Sequence, residues 1–445
     1  MALSGLEIFK LLPKTNCKKC GMPTCLAFAM AMAQKKVGLD KCPDASEETR
    51  QKLAAAAAPP MSVVAFGTGD AACKAGGETV LFRHEEKFHS PTVVAVTLPD
   101  TLDAAAMQDR AARIKGFAFE RVGEAMPVNA VAVMNASGDA ARFAAAAEVA
   151  RTTGKAILLV TESPAAAAAA LAKVKDARPL VCAATAATAE AMAKVAAEAK
   201  CPIIARASDP EALAALTEKL KAAGCDAIVL WLDAPDAWSA MAGLTAIRRL
   251  ALKKAFRPLG YPTIAFATQG TPEQQVAAAT GLVCKYAGIV VVDTVEPWAM
   301  LALLTVRQNL YTDPQKPVQV EPKLYAVGDA DENSPVLFTT NFSLTYYTVE
   351  SDVEAGRVPA WILCVDTEGT SVLTAYSGDK LNEKTVAKAM KAADLESKVK
   401  HRKLIIPGHV AVMSGKLEEE TGWQVLVGPR ESSVIPRYLK EVWSA

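Results

Sequence analysis

The chain has 445 residues, of which 51% are apolar and 22% charged, and its net charge is +1. That length accommodates two or three domains, and the composition is that of an ordinary globular protein with ample apolar material for buried cores. The charge balance, with no basic stripe interleaved with aromatics, excludes a dedicated nucleic-acid binder; no apolar run is long enough to span a bilayer, and a cytoplasmic protein is expected.

The first segment holds four cysteines, as Cys17-Lys-Lys-Cys20-Gly-Met-Pro-Thr-Cys25 and then Cys42-Pro43, while the other six are scattered singly through apolar sequence. Iron–sulfur clusters take four cysteine thiolates, and short spacings let neighbouring thiolates meet adjacent irons. The first ten residues lack a long apolar core, so no secretory leader and no disulfides are expected. A structural zinc is the rival, because C-x2-C is equally a zinc half-site, although zinc sites usually pair two short units. A [2Fe–2S] centre is the third alternative, but its plant-type order, C-x4-C-x2-C, is the reverse of this one. The spacing therefore favours a [4Fe–4S] cluster. The alanine run 54–58 and Pro59-Pro60 close this module, giving an iron–sulfur domain over residues 1–58.

Residues 59–91 read as a linker with a short hairpin, its turns at Gly67-Thr68-Gly69-Asp70 and Gly76-Gly77-Glu78 and its end at residues 79–83. His84 and His89 form an H-x4-H pair without a third ligand nearby, which suits a solvated loop. From residue 92 short β-branched runs alternate with alanine-rich amphipathic stretches: 92–98, 130–135, 156–160, 179–185, 202–208, 227–233, 263–268 and 288–293. Continuous Val/Ile/Leu runs mark strands buried on both faces. Eight strand–helix units over residues 92–312 predict a (β/α)8 TIM barrel. Asn135, Thr161, Glu162, Asp233, Thr268 and Asp293 stand at strand ends. They suit a small-molecule site, with Asn135 and Asp233 as hydrogen-bonding groups, but helix capping explains the same residue types without a ligand. The barrel is read as a scaffold.

Residues 313–333, rich in proline, acidic and small residues, read as a second linker. Strands at 336–341, 361–366, 403–407 and 424–427, each followed by helical sequence, predict a small open α/β sheet over residues 334–445. Ligands on such sheets bind outside the carboxyl ends of the strands, and all four ends here are rich in small and polar residues.

This order of modules resembles the large (gamma) subunits of the corrinoid iron–sulfur proteins of acetyl-CoA synthesis and decarbonylation. The resemblance rests on Leu12-Pro13-Lys14-Thr15-Asn16-Cys17-Lys18-Lys19-Cys20-Gly21 with Cys25 and Cys42-Pro43, and on Phe338-Thr339-Thr340-Asn341-Phe342 and Gly369-Thr370-Ser371-Val372-Leu373-Thr374. It implies a methyl carrier with a flavodoxin- or Rossmann-like corrinoid-binding domain. Cobalt(I) accepts a methyl group from methyltetrahydrofolate through a methyltransferase, and methylcobalt(III) passes it to the Ni–Fe–S cluster of acetyl-CoA synthase. A [4Fe–4S] cluster on Cys17, Cys20, Cys25 and Cys42 returns the electron lost when cobalt oxidises. The corrinoid contacts implied are Thr340, Asn341 and Tyr346, then Thr370, Ser371, Val372, Leu373 and Thr374, then Gly408, then Ser433, with Thr374 under the cobalt and not ligating it. The D-x-H-x-x-G motif that supplies an axial histidine in many cobalamin domains is absent, which implies a base-off cobalamin; His401 reads as a surface residue and His409 as a loop residue. The implied partners are a small subunit in a heterodimer, the methyltransferase, acetyl-CoA synthase and a low-potential donor such as ferredoxin, in an anaerobic pathway of carbon dioxide fixation. Two other readings are a pterin-dependent methyltransferase with catalysis in the barrel, and an iron–sulfur/flavin electron-transfer adaptor.

Overall fold

In the computed structural model, residues 5–33, 36–46, 49–50, 53 and 59–443 are described. The alanine run 54–58 lies outside them. The chain divides into two compact units, residues 1–118 with 127–311, and residues 119–126 with 312–445.

In the first unit the helices Gly5–Leu11 and Cys25–Ala33 pack on each other within the cysteine segment. Strands β1 (Val63–Phe66) and β2 (Cys73–Gly76) follow as an antiparallel hairpin. The hairpin thus lies ahead of the expected position, and residues 79–83 form a loop. The reason is burial. Val64, Phe66, Cys73 and Ala75 turn one face of the hairpin into the barrel interior, whereas Glu78 is held in the loop by the N–H groups of His89 and Ser90.

All eight expected barrel strands form. They are β3 (Val93–Pro99), then, after the hairpin β4 (Ala118–Arg121) and β5 (Glu124–Pro127), β6 (Ala130–Met134), β7 (Ala156–Val160), β8 (Leu180–Ala184), β9 (Ile203–Ala207), β10 (Ile228–Leu232), β11 (Ile264–Ala267) and β12 (Ile289–Val292). The order β10-β9-β8-β7-β6-β3-β12-β11 is parallel throughout, and a bridge from Leu230 to Thr263 brings its two edges together. Alternate residues such as Ala95, Ala132, Leu158, Cys182 and Val291 point inward, as the period of two requires. Each fully buried Val, Leu or Ile contributes about 1.5–3 kcal/mol against leaving it exposed, and the interior of the barrel is therefore packed core. A site must lie on its rim. The hairpin β4–β5, which groups with the second unit, was not foreseen.

The second unit carries β13 (Leu324–Val327), β14 (Val336–Thr340), β15 (Ala360–Val365), β16 (Lys403–Ile406) and β17 (Gln424–Val427) in the order β13-β15-β14-β16-β17. Within this sheet only β13 is antiparallel. The expected linker 313–333 therefore holds an edge strand, and Val320 and Val318 also hydrogen-bond the backbone of Asn341 and Ser343. Helices Ser343–Gly356 and Ile435–Glu441 supply one apolar cluster, and helices Glu383–Ala392 and Ser414–Thr421 the other. From β14 the chain runs first to β15 on one side and then to β16 on the other. That reversal opens a crevice at the carboxyl end of β14, where open α/β sheets receive ligands.

Candidate cofactor sites

The cysteine segment is built around a loop of unusual backbone. Lys14, Asn16, Lys18 and Gly21 have φ of 58°, 48°, 61° and 78°. Four left-handed positions from Lys14 to Gly21 turn the chain sharply around the first cysteines. Cys17 and Cys20 lie half-buried in this loop, Cys25 opens the helix Cys25–Ala33, and Cys42 follows the short turn Leu39–Lys41. Cys25 and Cys42 are buried among Ile8, Leu12, Phe28 and Leu53. Burial pushes the Cys42 thiol up, and charge on Cys20, Cys17 and Cys25 pushes it further the same way, against a backbone N–H from Asp44. Asp44 is held below the usual carboxylate range by hydrogen bonds from Lys19, at 3.0 Å, and from the Cys17 thiol.

Among the described residues no three Cys, His, Asp or Glu side chains close on a point that would hold a single ion. The N–H of Asn16 on the Cys25 sulfur, at 3.3 Å, and the apolar shell around Cys25 and Cys42 suit a cluster.

The second candidate lies in the crevice of the terminal sheet, a cavity of about 340 Å³. Its floor is the carboxyl end of β14 and β16, through Thr339, Ile406 and Pro407. Thr339 and Thr340 are buried, and each hydroxyl lacks a protein partner. An orphaned buried hydroxyl is costly, and that of Thr339, in the floor of the cavity, suits a ligand bearing amide or other polar groups.

Of the ten corrinoid contacts expected from the sequence, Ser371, Val372 and Leu373 line this cavity. Thr340 is buried but does not line it, because its side chain points to the other face of the sheet from that of Thr339. Asn341 is buried, and its Oδ1 accepts from the N–H groups of Thr367 and Gly369, both at 2.9 Å, while its Nδ2 donates to Asp366 at 3.0 Å; it organises the second loop. Thr370 is tied to Thr367 within that loop. Tyr346 is buried against Tyr325 and donates to Glu350 at 2.9 Å. Thr374 is exposed and shares a hydrogen bond with Ser371; Ser433 is exposed beside Ser432, which lines the cavity. At Gly408 a Cβ would meet the Gly428 carbonyl oxygen at 2.5 Å, so the glycine lets the two loops touch. Sequence reasoning missed Thr345, Thr348, His409 and Arg430 in the lining. The spacing of Leu344, Thr345, Thr348 and Val349 on one helical face was the available signal for two of them.

The histidines need one correction. His401 is no surface residue: it is half-buried against Trp443, its Nε2 lies 2.9 Å from the Ser334 carbonyl, and its Nδ1 accepts the Lys403 N–H. Both nitrogens are spent. His409 is exposed in the cavity lining.

On the barrel rim the capping explanation fails for the residues chosen. The caps are Asp103, Asp139, Ser163, Asp209, Asp236 and Thr271, further along each loop. Most of the strand-end residues bond other side chains of the rim instead. Asn135 donates to Thr161 at 2.8 Å, Arg206 bridges Asp233 and Glu162, and Asp293 binds Arg110 and Thr97. A cavity of about 430 Å³ opens there, with the Asn135 Oδ1 buried and unpartnered.

A family model described as the CO dehydrogenase/acetyl-CoA synthase delta subunit matches residues 63–439, and a second, for an Fe-S cluster, matches residues 12–43. The corrinoid/iron-sulfur protein large subunit of Moorella thermoacetica is 47% identical over 99% of this chain and 99% of its own. The acetyl-CoA decarbonylase/synthase complex subunit gamma of Methanothermobacter thermautotrophicus is 39% identical over 100% of both chains, and that of Methanopyrus kandleri is 38% identical over 99% of this chain and 98% of its own. On these matches, which run through the cysteine segment, the barrel and the terminal sheet alike, the chain belongs to the family of large (gamma) subunits of the corrinoid iron–sulfur proteins and acetyl-CoA decarbonylase/synthase complexes.

Proposed function

We propose that the chain is a methyl carrier that holds a corrinoid on its terminal sheet and a [4Fe–4S] cluster on Cys17, Cys20, Cys25 and Cys42. The observation that carries this reading is the full-length identity to a protein named a corrinoid/iron-sulfur protein large subunit. A bound corrinoid supplies a cobalt that takes a methyl group from a methyltetrahydropterin methyltransferase and yields it to the Ni–Fe–S cluster of acetyl-CoA synthase, and the iron–sulfur cluster supplies a low-potential electron.

The reversal of strand order at β14 supports a flavodoxin-like reading of this sheet. The cavity is of a size that takes a drug-sized group, so it suits a side arm of a corrinoid, with the macrocycle outside. Thr339 would hydrogen-bond that arm, Ser371 to Leu373 would line its exit, and Gly408 would let backbone approach. Leu344, Leu373 and Val434 are exposed large apolar residues of this unit, which suits a surface covered by a partner such as the small subunit. The domain limits read from the sequence, a cytoplasmic setting, the methyltransferase, acetyl-CoA synthase and a ferredoxin-like donor belong to the same proposal. Among the described residues no helix is long and apolar enough to cross a membrane.

The base-off state is supported by the two spent nitrogens of His401. Low-temperature EPR of anaerobically purified protein, poised at cobalt(II), tests the whole reading. A cobalt signal without nitrogen splitting is expected, with about four irons for each four-cysteine site. Nitrogen splitting abolished by His409→Ala would overturn the base-off state, and absence of cobalt from protein isolated with its partner would overturn the carrier. A second reading, with the barrel as a pterin-dependent methyltransferase, is favoured by the rim cavity beside Asn135. Equilibrium binding of methyltetrahydrofolate to this chain alone, lost in Asn135→Ala, would establish it; no binding is expected.

A further inference from the structure

We infer that Asn16 is a positioning residue that sets the environment of the Cys25 sulfur and thereby raises the reduction potential of the cluster, an inference that rests on the cluster reading above. Asn16 grips Cys25 twice. Its backbone N–H donates to the Cys25 Sγ at 3.3 Å, and its side-chain Oδ1 accepts the Cys25 backbone N–H at 2.8 Å. Cys25 is the first residue of its helix, so that N–H has no intrahelical acceptor and Asn16 supplies one. The geometry needs the left-handed backbone at Asn16, φ 48°, which asparagine tolerates better than most residues.

The consequence is electrostatic. Reduction adds negative charge that spreads onto the thiolate sulfurs, and an N–H aimed at a sulfur stabilises the more negative state. Without the side-chain anchor the loop is free to swing that N–H away, and the cluster becomes harder to reduce. A purely structural cap would leave the potential unchanged once the cluster is in place.

The test uses full-length protein with the variants Asn16→Gly and Asn16→Asp. Glycine accepts the same φ without strain but has no side-chain acceptor, whereas aspartate keeps the acceptor. EPR-monitored titration gives the midpoint potential, and proton ENDOR in exchanged solvent reports an exchangeable proton coupled to the cluster. In Asn16→Gly the coupling should be lost and the potential should move to more negative values. In Asn16→Asp the coupling should persist, although the added charge also lowers the potential. An Asn16→Gly protein with full iron content, unchanged coupling and unchanged potential overturns the clamp. Should the glycine variant fail to take up iron, loss of the coupling in Asn16→Asp overturns it, and its persistence supports it. Zinc in place of iron in the unaltered protein would defeat the cluster reading itself, and iron analysis separates that failure from the others.

Discussion

Asn341 makes more hydrogen bonds than a ligand-facing amide could spare. Its carbonyl oxygen serves Thr367 and Gly369, and its amide nitrogen reaches Asp366, all in the loop after β15. Replacing it by alanine leaves buried N–H groups without acceptors, at about 1–3 kcal/mol each. Asn341→Ala is therefore expected to lower the stability of the protein by several kcal/mol in chemical denaturation and to weaken corrinoid retention as a secondary effect. Gly408→Ala should behave differently. The added Cβ meets the Gly428 carbonyl oxygen, Pro429 and the Arg430 nitrogen, all backbone within 3 Å, so the two loops must part. A cost of about 1–3 kcal/mol is expected from forced backbone shifts, and corrinoid affinity should fall together with stability. These two residues show why the loops were legible in the sequence and their internal roles were not. Small and hydroxyl-bearing residues are chosen both where backbone meets ligand and where backbone meets backbone, and the sequence carries the same letters for either. Thr339 was distinguishable only once its hydroxyl could be seen to lack a partner.

At the scale of the element, the eight barrel strands were legible because strands buried on both faces must be continuously apolar and the helices between them periodic. The elements missed lack that signature. Strand β13 follows a run of prolines, is four residues long and half-exposed at a sheet edge. The β4–β5 hairpin turns through Val122 and Gly123, both with positive φ, without the Asn-Gly or Asp-Gly pair that marks such turns. The caps make a testable difference with pH. Backbone N–H groups at the helix starts hold Asp139, Asp209 and Asp236 below the ordinary carboxylate value of 3.8. Because their folded values are depressed, the stabilisation they give is complete above the unfolded value and is lost as pH falls through the lower folded values. Asparagine caps as well as aspartate but does not titrate there. A protein carrying Asn at all three positions should match the original in thermal melts at neutral pH and lose less stability below about pH 4. Equal acid sensitivity of the two proteins would remove these caps from the account.

At the scale of the whole molecule, the two proposed cofactor sites fall in separate compact units, the cysteines in one and the terminal crevice in the other. Each has its own apolar core: Ile8, Phe28 and Leu53 surround the cysteines, whereas Tyr346, Ile362 and Leu404 belong to the clusters beneath the crevice. Removing one thiolate leaves the second core untouched. Cys42→Ala takes away a buried thiol, one of the four proposed ligands, and disrupts packing only within the cysteine segment. The altered protein should lose its iron and sulfide, keep cobalt at the level of the unaltered protein and still accept a methyl group when a strong chemical reductant is supplied. With a ferredoxin-like donor alone, recovery from the oxidised state should fail. Metal analysis and methylation assays under the two reductants read these outcomes separately. Loss of cobalt together with iron would mean that the corrinoid is held jointly by both units, and the terminal sheet alone would no longer account for its binding.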